Sequence, residues 1–240
     1  MRIKIINPNT SKATTDAIAA TARRYARAGT EIVTVSPISG PLAIDNYYDE
    51  VTASVGVMEE IKKGLQEKFD GFIIACFTDP ALRASREVSN VPVVGIGEAS
   101  MLIACTIAHK FSILSMPKSS AASMQELLIR NGLESRCASI RLIDVPVSEI
   151  GNNLNETRKL LLHEALEAMK NGAEAILLGC AGLTGLDKEF EKELGIPTID
   201  GVVAAVKLVE CLYDYGLRTS KALTYRIPKS LQSDQLPRHV

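Results

Sequence analysis

The chain has 240 residues, room for one large domain or two small ones around a substantial core. Lys plus Arg number 27 against 28 Asp plus Glu, and the resulting net charge of −1 excludes the basic excess of a nucleic-acid or membrane-surface protein. With 46% hydrophobic residues, 23% charged, no Trp and only 5% aromatics, the core must be aliphatic, as in a parallel α/β protein.

Short aliphatic runs alternate with amphipathic segments of helical length. Ile3–Ile6 predicts a strand, and Asn9 or Thr10 is placed to N-cap a helix reaching about Arg27. Glu31–Val35 predicts the next strand, and Pro37 to Asp49 a loop. Val51, Val55, Met58, Ile61 and Leu65 recur at helical spacing between about Glu50 and Lys68. Strand Gly71–Ala75, a short helix from Pro80 to Val88 and strand Val91–Ile96 follow. A second series then runs through helix Glu98–Ala108, strand Phe111–Leu114, helix Ser119–Asn131 and strand Ser139–Val145. It continues with helix Asn155–Lys170, strand Glu174–Leu178, helix Leu183–Leu194, strand Pro197–Ile199 and helix Val202–Tyr215. From Ile227 the chain, with Pro228 and Pro237, reads as an extended or loosely docked tail. Regular βα alternation predicts parallel sheets with right-handed crossovers.

The start, Met1 to Pro8, carries too short an apolar run for a signal peptide, and no segment approaches membrane-spanning length, so a cytoplasmic location is expected. The five cysteines (Cys76, Cys105, Cys137, Cys180, Cys211) are odd in number and widely spaced, which speaks against a disulfide framework. His109, His163 and His239 stand at no zinc spacing from any of them, so no metal site is expected.

The two series resemble each other. Phe72-Ile73-Ile74-Ala75-Cys76 compares with Ile176-Leu177-Leu178-Gly179-Cys180, and the steps from Cys76 to Pro92 and from Cys180 to Pro197 differ by one residue. Two similar Rossmann-like lobes are expected, residues 1–97 plus 206–240 carrying Cys76, and residues 98–205 carrying Cys180. Each thiol would lie at the carboxyl end of a strand, where ligands of open α/β sheets bind. A helix start just beyond each would lower its pKa. Facing one cleft, two such thiols suit removal of a proton from one face of a carbon acid and its return to the other, without a cofactor. The alternative, buried Cys as small apolar filler, fits Cys105, Cys137 and Cys211 better, because the neighbours of Cys76 and Cys180 (Thr78, Asp79; Gly179, Gly182, Thr184) are polar or glycyl.

Six blocks stand out: Asn7-Pro8-Asn9-Thr10, Ala75-Cys76-Phe77-Thr78-Asp79-Pro80, Gly95-Ile96-Gly97-Glu98-Ala99, Leu178-Gly179-Cys180-Ala181-Gly182, Asp200 to Ala205 and Thr219-Ser220-Lys221. They resemble the signatures of hydantoin racemases, a group that includes allantoin racemases within the aspartate/glutamate racemase superfamily. The resemblance implies a cofactor-independent racemase with Cys76 and Cys180 as acid and base, two pseudo-symmetric lobes and a homo-oligomer. It implies a cyclic ureide substrate deprotonated at C5. Asn9, Ser115 and the peptide groups after each Cys, at Phe77, Thr78, Ala181 and Gly182, are the candidates for holding the ring and its enolate. Ile44 is placed either to line the pocket for the C5 substituent or to pack beneath its loop. Thr78, Ala81 and Met116-Pro117 depart from the family pattern and leave that substituent open. The near-match of Gly95 to Ala99 with a dinucleotide fingerprint lacks its acidic partner about 20 residues on, so these glycines are expected to turn the chain between lobes. Asp79 reads equally as a helix cap or as a group orienting the neighbouring thiol, and His163 as a surface or packing residue.

Overall fold

In a computed structural model that describes residues 1–150 and 154–232, the strands form two parallel four-stranded sheets with the same order. The first contains β1 (Arg2–Ile6), β2 (Glu31–Val35), β3 (Gly71–Ile74) and β4 (Val93–Gly95), ordered β2-β1-β3-β4. The second contains β5 (Phe111–Ser115), β6 (Cys137–Leu142), β7 (Ala175–Leu178) and β8 (Thr198–Asp200), ordered β6-β5-β7-β8. The helices are α1 (Lys12–Tyr25), α2 (Tyr47–Gln66), α3 (Leu82–Val88), α4 (Ile96–Ile107), α5 (Ala121–Asn131), α6 (Leu154–Lys170), α7 (Asp187–Leu194), α8 (Gly201–Asp214) and α9 (Lys229–Gln232). The expected α/β architecture with two similar parallel sheets is the one found.

Both faces of each sheet are covered, which is why the strands are apolar at nearly every position. Successive side chains point to opposite faces. Ile3, Ile5 and Ile73 of the first sheet join Ile113 and Leu177 of the second in one core, closed by Ala99 and Ala104 of α4 and by Val202, Val206 and Val209 of α8. The alternate residues face outward: Ile6, Phe72 and Ile74 pack on Val57 and Ile61 of α2, and Leu114, Ile176 and Leu178 on Leu161, Ala165 and Ala168 of α6. A shared core fixes the two sheets against each other. In both sheets the order reverses between the first and third strands, β1 and β3 or β5 and β7, and ligand crevices form outside the carboxyl ends at such points.

Element boundaries differ from expectation where side chains make local bonds. α2 starts at Tyr47, inside the expected loop, because Asn46 caps it: its Oδ1 accepts the Asp49 N–H and its Nδ2 donates to Asp49 Oδ2. Ser11, rather than Asn9 or Thr10, caps α1. No α-helix begins directly after either strand-end Cys, although Cys180 caps a single 3-10 turn. α3 starts at Leu82, after positive φ at Asp79 and Ala81, and α7 at Asp187, after a 3-10 turn over Ala181–Leu183. As far as Gln232 the tail takes the docked form, the short helix α9 with Leu231 packed against the outer core of the first sheet, and the rest of that expectation, with Pro237, lies outside the described residues. His163 is exposed on α6. Among the described residues no helix is long and apolar enough to cross a membrane.

Candidate active site

One cavity lies where the carboxyl ends of β1 and β3 meet those of β5 and β7. It is lined by Asn9 and Thr14 beyond β1, Ala75 to Thr78 beyond β3, Met116 and Ser120 beyond β5, and Gly179 to Gly182 beyond β7. Ile44 from the loop before α2, Met124 from α5 and Val147 complete the wall. Cys76 and Cys180 therefore enter one space from equivalent places in the two halves. No ionisable side chain other than these thiols lines it among the described residues.

The site is held from behind by buried polar contacts. Asn9 Oδ1 accepts from Asn7 Nδ2 (2.8 Å) and from the Ser11 N–H (2.9 Å), which fixes the turn after β1 and leaves the Asn9 amide N–H2 as the group facing outward. The loop carrying Ile44 is tied at both ends: the Thr10 N–H donates to the Pro41 carbonyl (2.9 Å), and the Ser119 hydroxyl donates to the Asp45 carbonyl (2.7 Å). Ile44 thus lies on the cavity wall. Ser115 does not. Its fully buried hydroxyl donates to the Gly179 carbonyl (2.6 Å), so it braces the strand end before Cys180 instead of facing a ligand.

Neither thiol stands at the start of an α-helix as expected, and Cys180 caps only a single 3-10 turn. Burial dominates, pushing Cys76 up to about 12 and Cys180 up to about 11. Local donors oppose it in a matched way. The N–H two residues on, at Thr78 or Gly182, points to the sulfur, at 3.4 Å for Gly182. These two N–H groups serve the sulfurs rather than an enolate. The thiols are near enough that charge on Cys180 raises Cys76 further.

Asp79 resolves as a cap, though of a distant helix. Its Oδ1 accepts the Gly97 N–H (3.0 Å) and its Oδ2 the Glu98 N–H (2.8 Å), at the start of α4, which has no capping side chain of its own. Burial raises its pKa to about 7. Gly95 and Gly97 exist for this approach: a Cβ on Gly95 would lie 2.1 Å from Asp79 Oδ1, and one on Gly97 2.0 Å from the Phe77 carbonyl oxygen. The glycine block is thus a packing device for the Cys76 loop, not a phosphate cradle. In the second half Asp200 caps α8 through the Val202 N–H (2.8 Å) and reaches back to the Cys180 loop, accepting from Thr184 Oγ1 (2.7 Å) and the Gly185 N–H (2.8 Å). Each thiol loop is thereby pinned by one buried aspartate.

Sequence reasoning did not single out Met124, Val147, Thr14 or Ser120, which reach the cavity from helices and turns. Met116 was visible only as a departure from pattern. Glu50, a helix start by sequence, lines a second, polar cavity together with Asp79 and Arg130 beside the Cys76 loop.

Paired strand-end thiols in a double α/β fold define a class of proteins with two facing sulfurs and an uncharged pocket. A family model described as Asp/Glu/Hydantoin racemase matches residues 3–209, and the chain belongs to that family. It is 44% identical over 230 residues to a hydantoin racemase of Pseudomonas sp. (strain NS671), covering 95% of this chain and 92% of that protein. An allantoin racemase from Klebsiella pneumoniae superposes with a TM-score of 0.93 at 41% identity, covering 95% and 94% of the two chains. For an allantoin racemase from Pseudomonas fluorescens the TM-score is 0.92 at 33% identity, covering 100% and 99%.

Proposed function

We propose that this protein racemises 5-substituted hydantoins, allantoin included, at C5 without a cofactor. The observation that carries this reading is the entry of Cys76 and Cys180 into one cavity from equivalent strand ends. C5 lies beside a carbonyl, so loss of its proton gives an enolate, and a thiolate on one face with a thiol on the other can remove and replace that proton. With the Thr78 and Gly182 N–H groups turned to the sulfurs, the N–H groups of Phe77 and Ala181 are left for the enolate oxygen. The Asn9 amide is the donor for the ureide, and Phe77 packs on the ring or its substituent. Ile44, Met116, Met124 and Val147 form the apolar wall for that substituent. The lack of ionised partners favours a neutral ring over a free amino acid, whose ammonium and carboxylate would be left unpaired.

Loss of optical rotation from single enantiomers of a small hydantoin panel and of allantoin tests the reading. The protein should act after exhaustive dialysis against chelator; activity on none of the panel, or activity that returns only with added metal, would sink it. In the same panel Ile44→Ala should reorder substrates by substituent size, by about tenfold between the smallest and largest groups. A uniform fall for all of them would return Ile44 to a packing role.

Five free thiols suit a reducing compartment, and we place the protein in the cytoplasm. A homo-oligomer is the expected state: Tyr48, Val51 and Val55 on α2, with Ile38 and Leu42 before it, are exposed and apolar, a patch that a second copy would cover. Light scattering should give a multiple of the chain mass, and a monomer at micromolar concentration would contradict this.

A further inference from the structure

The two buried aspartates beside the thiol loops do one job from opposite sides. Asp79 stands on the Cys76 loop, three residues after the Cys, and reaches the start of α4. Asp200 stands at the start of α8 and reaches the Cys180 loop, at Thr184 and Gly185. The residues that N-cap these two helices are Gly95 and Asp200, both extended. A Cβ on Gly95 would fall on the Asp79 carboxylate, which therefore fills the space a capping side chain would take. Each half of the fold keeps one carboxylate between its thiol loop and the helix that follows its last strand.

Both oxygens of each aspartate accept a backbone N–H. At Asp79 the donors are Gly97 (3.0 Å) and Glu98 (2.8 Å), and at Asp200 they are Val202 and Gly185 (both 2.8 Å). Only an ionised carboxyl accepts at both oxygens; an amide of the same shape accepts at one and turns its N–H2 against an N–H at the other. Asp79 is 2% exposed and Asp200 4%, so water has little access to replace a lost partner. The loops need such a hold. Ala81, without the freedom of a glycine, sits at φ +57° in the Cys76 loop, a conformation that persists only where its surroundings enforce it. Neither aspartate lines the cavity that the sulfurs enter.

We propose that Asp79 and Asp200 are positioning residues, each for its own sulfur and therefore each for one enantiomer of the substrate. The enantiomers rest on the racemase reading; the tie between each aspartate and its thiol stands without it. The sulfurs enter the cavity from the two halves of the fold, so the C5 proton of one enantiomer points at Cys76 and that of the other at Cys180. Loosening the Cys76 loop slows removal of the first proton and spares the second, and loosening the Cys180 loop does the reverse. An aspartate that only held the fold together would lower the folded fraction, and with it both rates alike.

The test uses Asp79→Asn and Asp200→Asn, folded by circular dichroism, at about pH 8, where a buried carboxyl raised to about 7, as Asp79 is, remains mostly ionised in the wild type. In deuterated buffer, proton NMR of each pure enantiomer of a hydantoin or of allantoin should show about tenfold slower C5 exchange for one enantiomer with Asp79→Asn. The opposite enantiomer should be the one slowed with Asp200→Asn. Iodoacetamide without substrate, followed at each Cys by peptide mass spectrometry, reads the loops directly, because a loosened loop exposes its half-buried sulfur. Cys76 should be alkylated several-fold faster in Asp79→Asn and Cys180 in Asp200→Asn, with the other thiol unmoved. Thr184→Val removes one loop-side bond of Asp200 and leaves its cap on α8, so it should speed Cys180 alone, and it decides the matter if an Asn variant does not fold. Equal slowing of both enantiomers overturns the proposal, as does alkylation that changes at both thiols alike, at the opposite thiol, or at neither. Should no hydantoin react, the alkylation rates still test the tie between aspartate and thiol, and the functional reading falls alone.

Discussion

Cys76→Ser and Cys180→Ser should each abolish racemisation, by roughly a hundred- to ten-thousand-fold, while each retains exchange of the C5 proton of one enantiomer. Serine keeps the size and the hydrogen-bond geometry but is barely ionised near neutral pH, so it removes a base and leaves the rest of the site. The opposite thiol still faces its own side of C5, and the donors for the enolate lie in the backbone, which a side-chain change does not delete. An enantiomer whose proton points at the surviving sulfur is then deprotonated and reprotonated on the same face, picking up deuterium without inverting. The two variants should act on opposite enantiomers, because the sulfurs enter the cavity from the two halves of the fold. Proton NMR of each pure enantiomer in deuterated buffer, corrected for uncatalysed exchange, reads this directly. Both variants exchanging the same enantiomer, or either keeping full racemisation, would defeat the facing-thiol mechanism.

The parts of this site that sit in strands or beside them were legible in the amino-acid sequence, and those that reach it across the fold were not. Hydrophobic runs such as Phe72–Ile74 and Ile176–Leu178 are apolar because both faces of each parallel sheet are covered, so their positions follow from composition and length alone. The carboxyl ends of those strands then locate Asn9, Cys76 and Cys180 without further information. What failed was chemistry assigned to neighbours along the chain. The expected helix dipole at each thiol rests on a helix start just beyond it, but Gly185, at φ +88°, and the turn at Asp79 and Ala81 delay both α-helices. Ser115 was placed in the site from its strand-end position. A fifth residue of β5 still belongs to the ladder, and its hydroxyl turns to the Gly179 carbonyl of the adjoining chain. Glu50 and Arg130 lie far from the thiols in sequence and meet beside the Cys76 loop only because α2 and α5 converge there. No local pattern encodes such a meeting.

The same distinction makes Gly97→Ala an expected large loss of both stability and activity, although Gly97 lies at the first turn of α4, where alanine is otherwise favoured. The added Cβ would lie 2.0 Å from the Phe77 carbonyl oxygen, 2.9 Å from Leu127 Cδ2 and 3.1 Å from Asp79 Oδ2. Two of those neighbours cannot yield cheaply. The carbonyl is backbone, one residue after Cys76, and the Asp79 carboxylate is buried and committed to the first N–H groups of α4. Moving α4 away breaks those bonds and opens the core shared by both sheets, where Ala99 and Met101 are fully buried. Overpacking together with a lost cap should cost about 3 kcal/mol. Moving the Cys76 loop instead shifts the sulfur, and a displacement near one ångström at a reacting group costs roughly a hundredfold in rate. Gly132→Ala is the comparison. At φ +67° it carries strain, but its Cβ would meet open space, so it should cost only about 1 kcal/mol and leave turnover alone. Urea denaturation and racemisation rates of the two variants decide the matter. If Gly97→Ala is as stable and as active as Gly132→Ala, the close packing of α4 on the Cys76 loop does not hold the thiol in place.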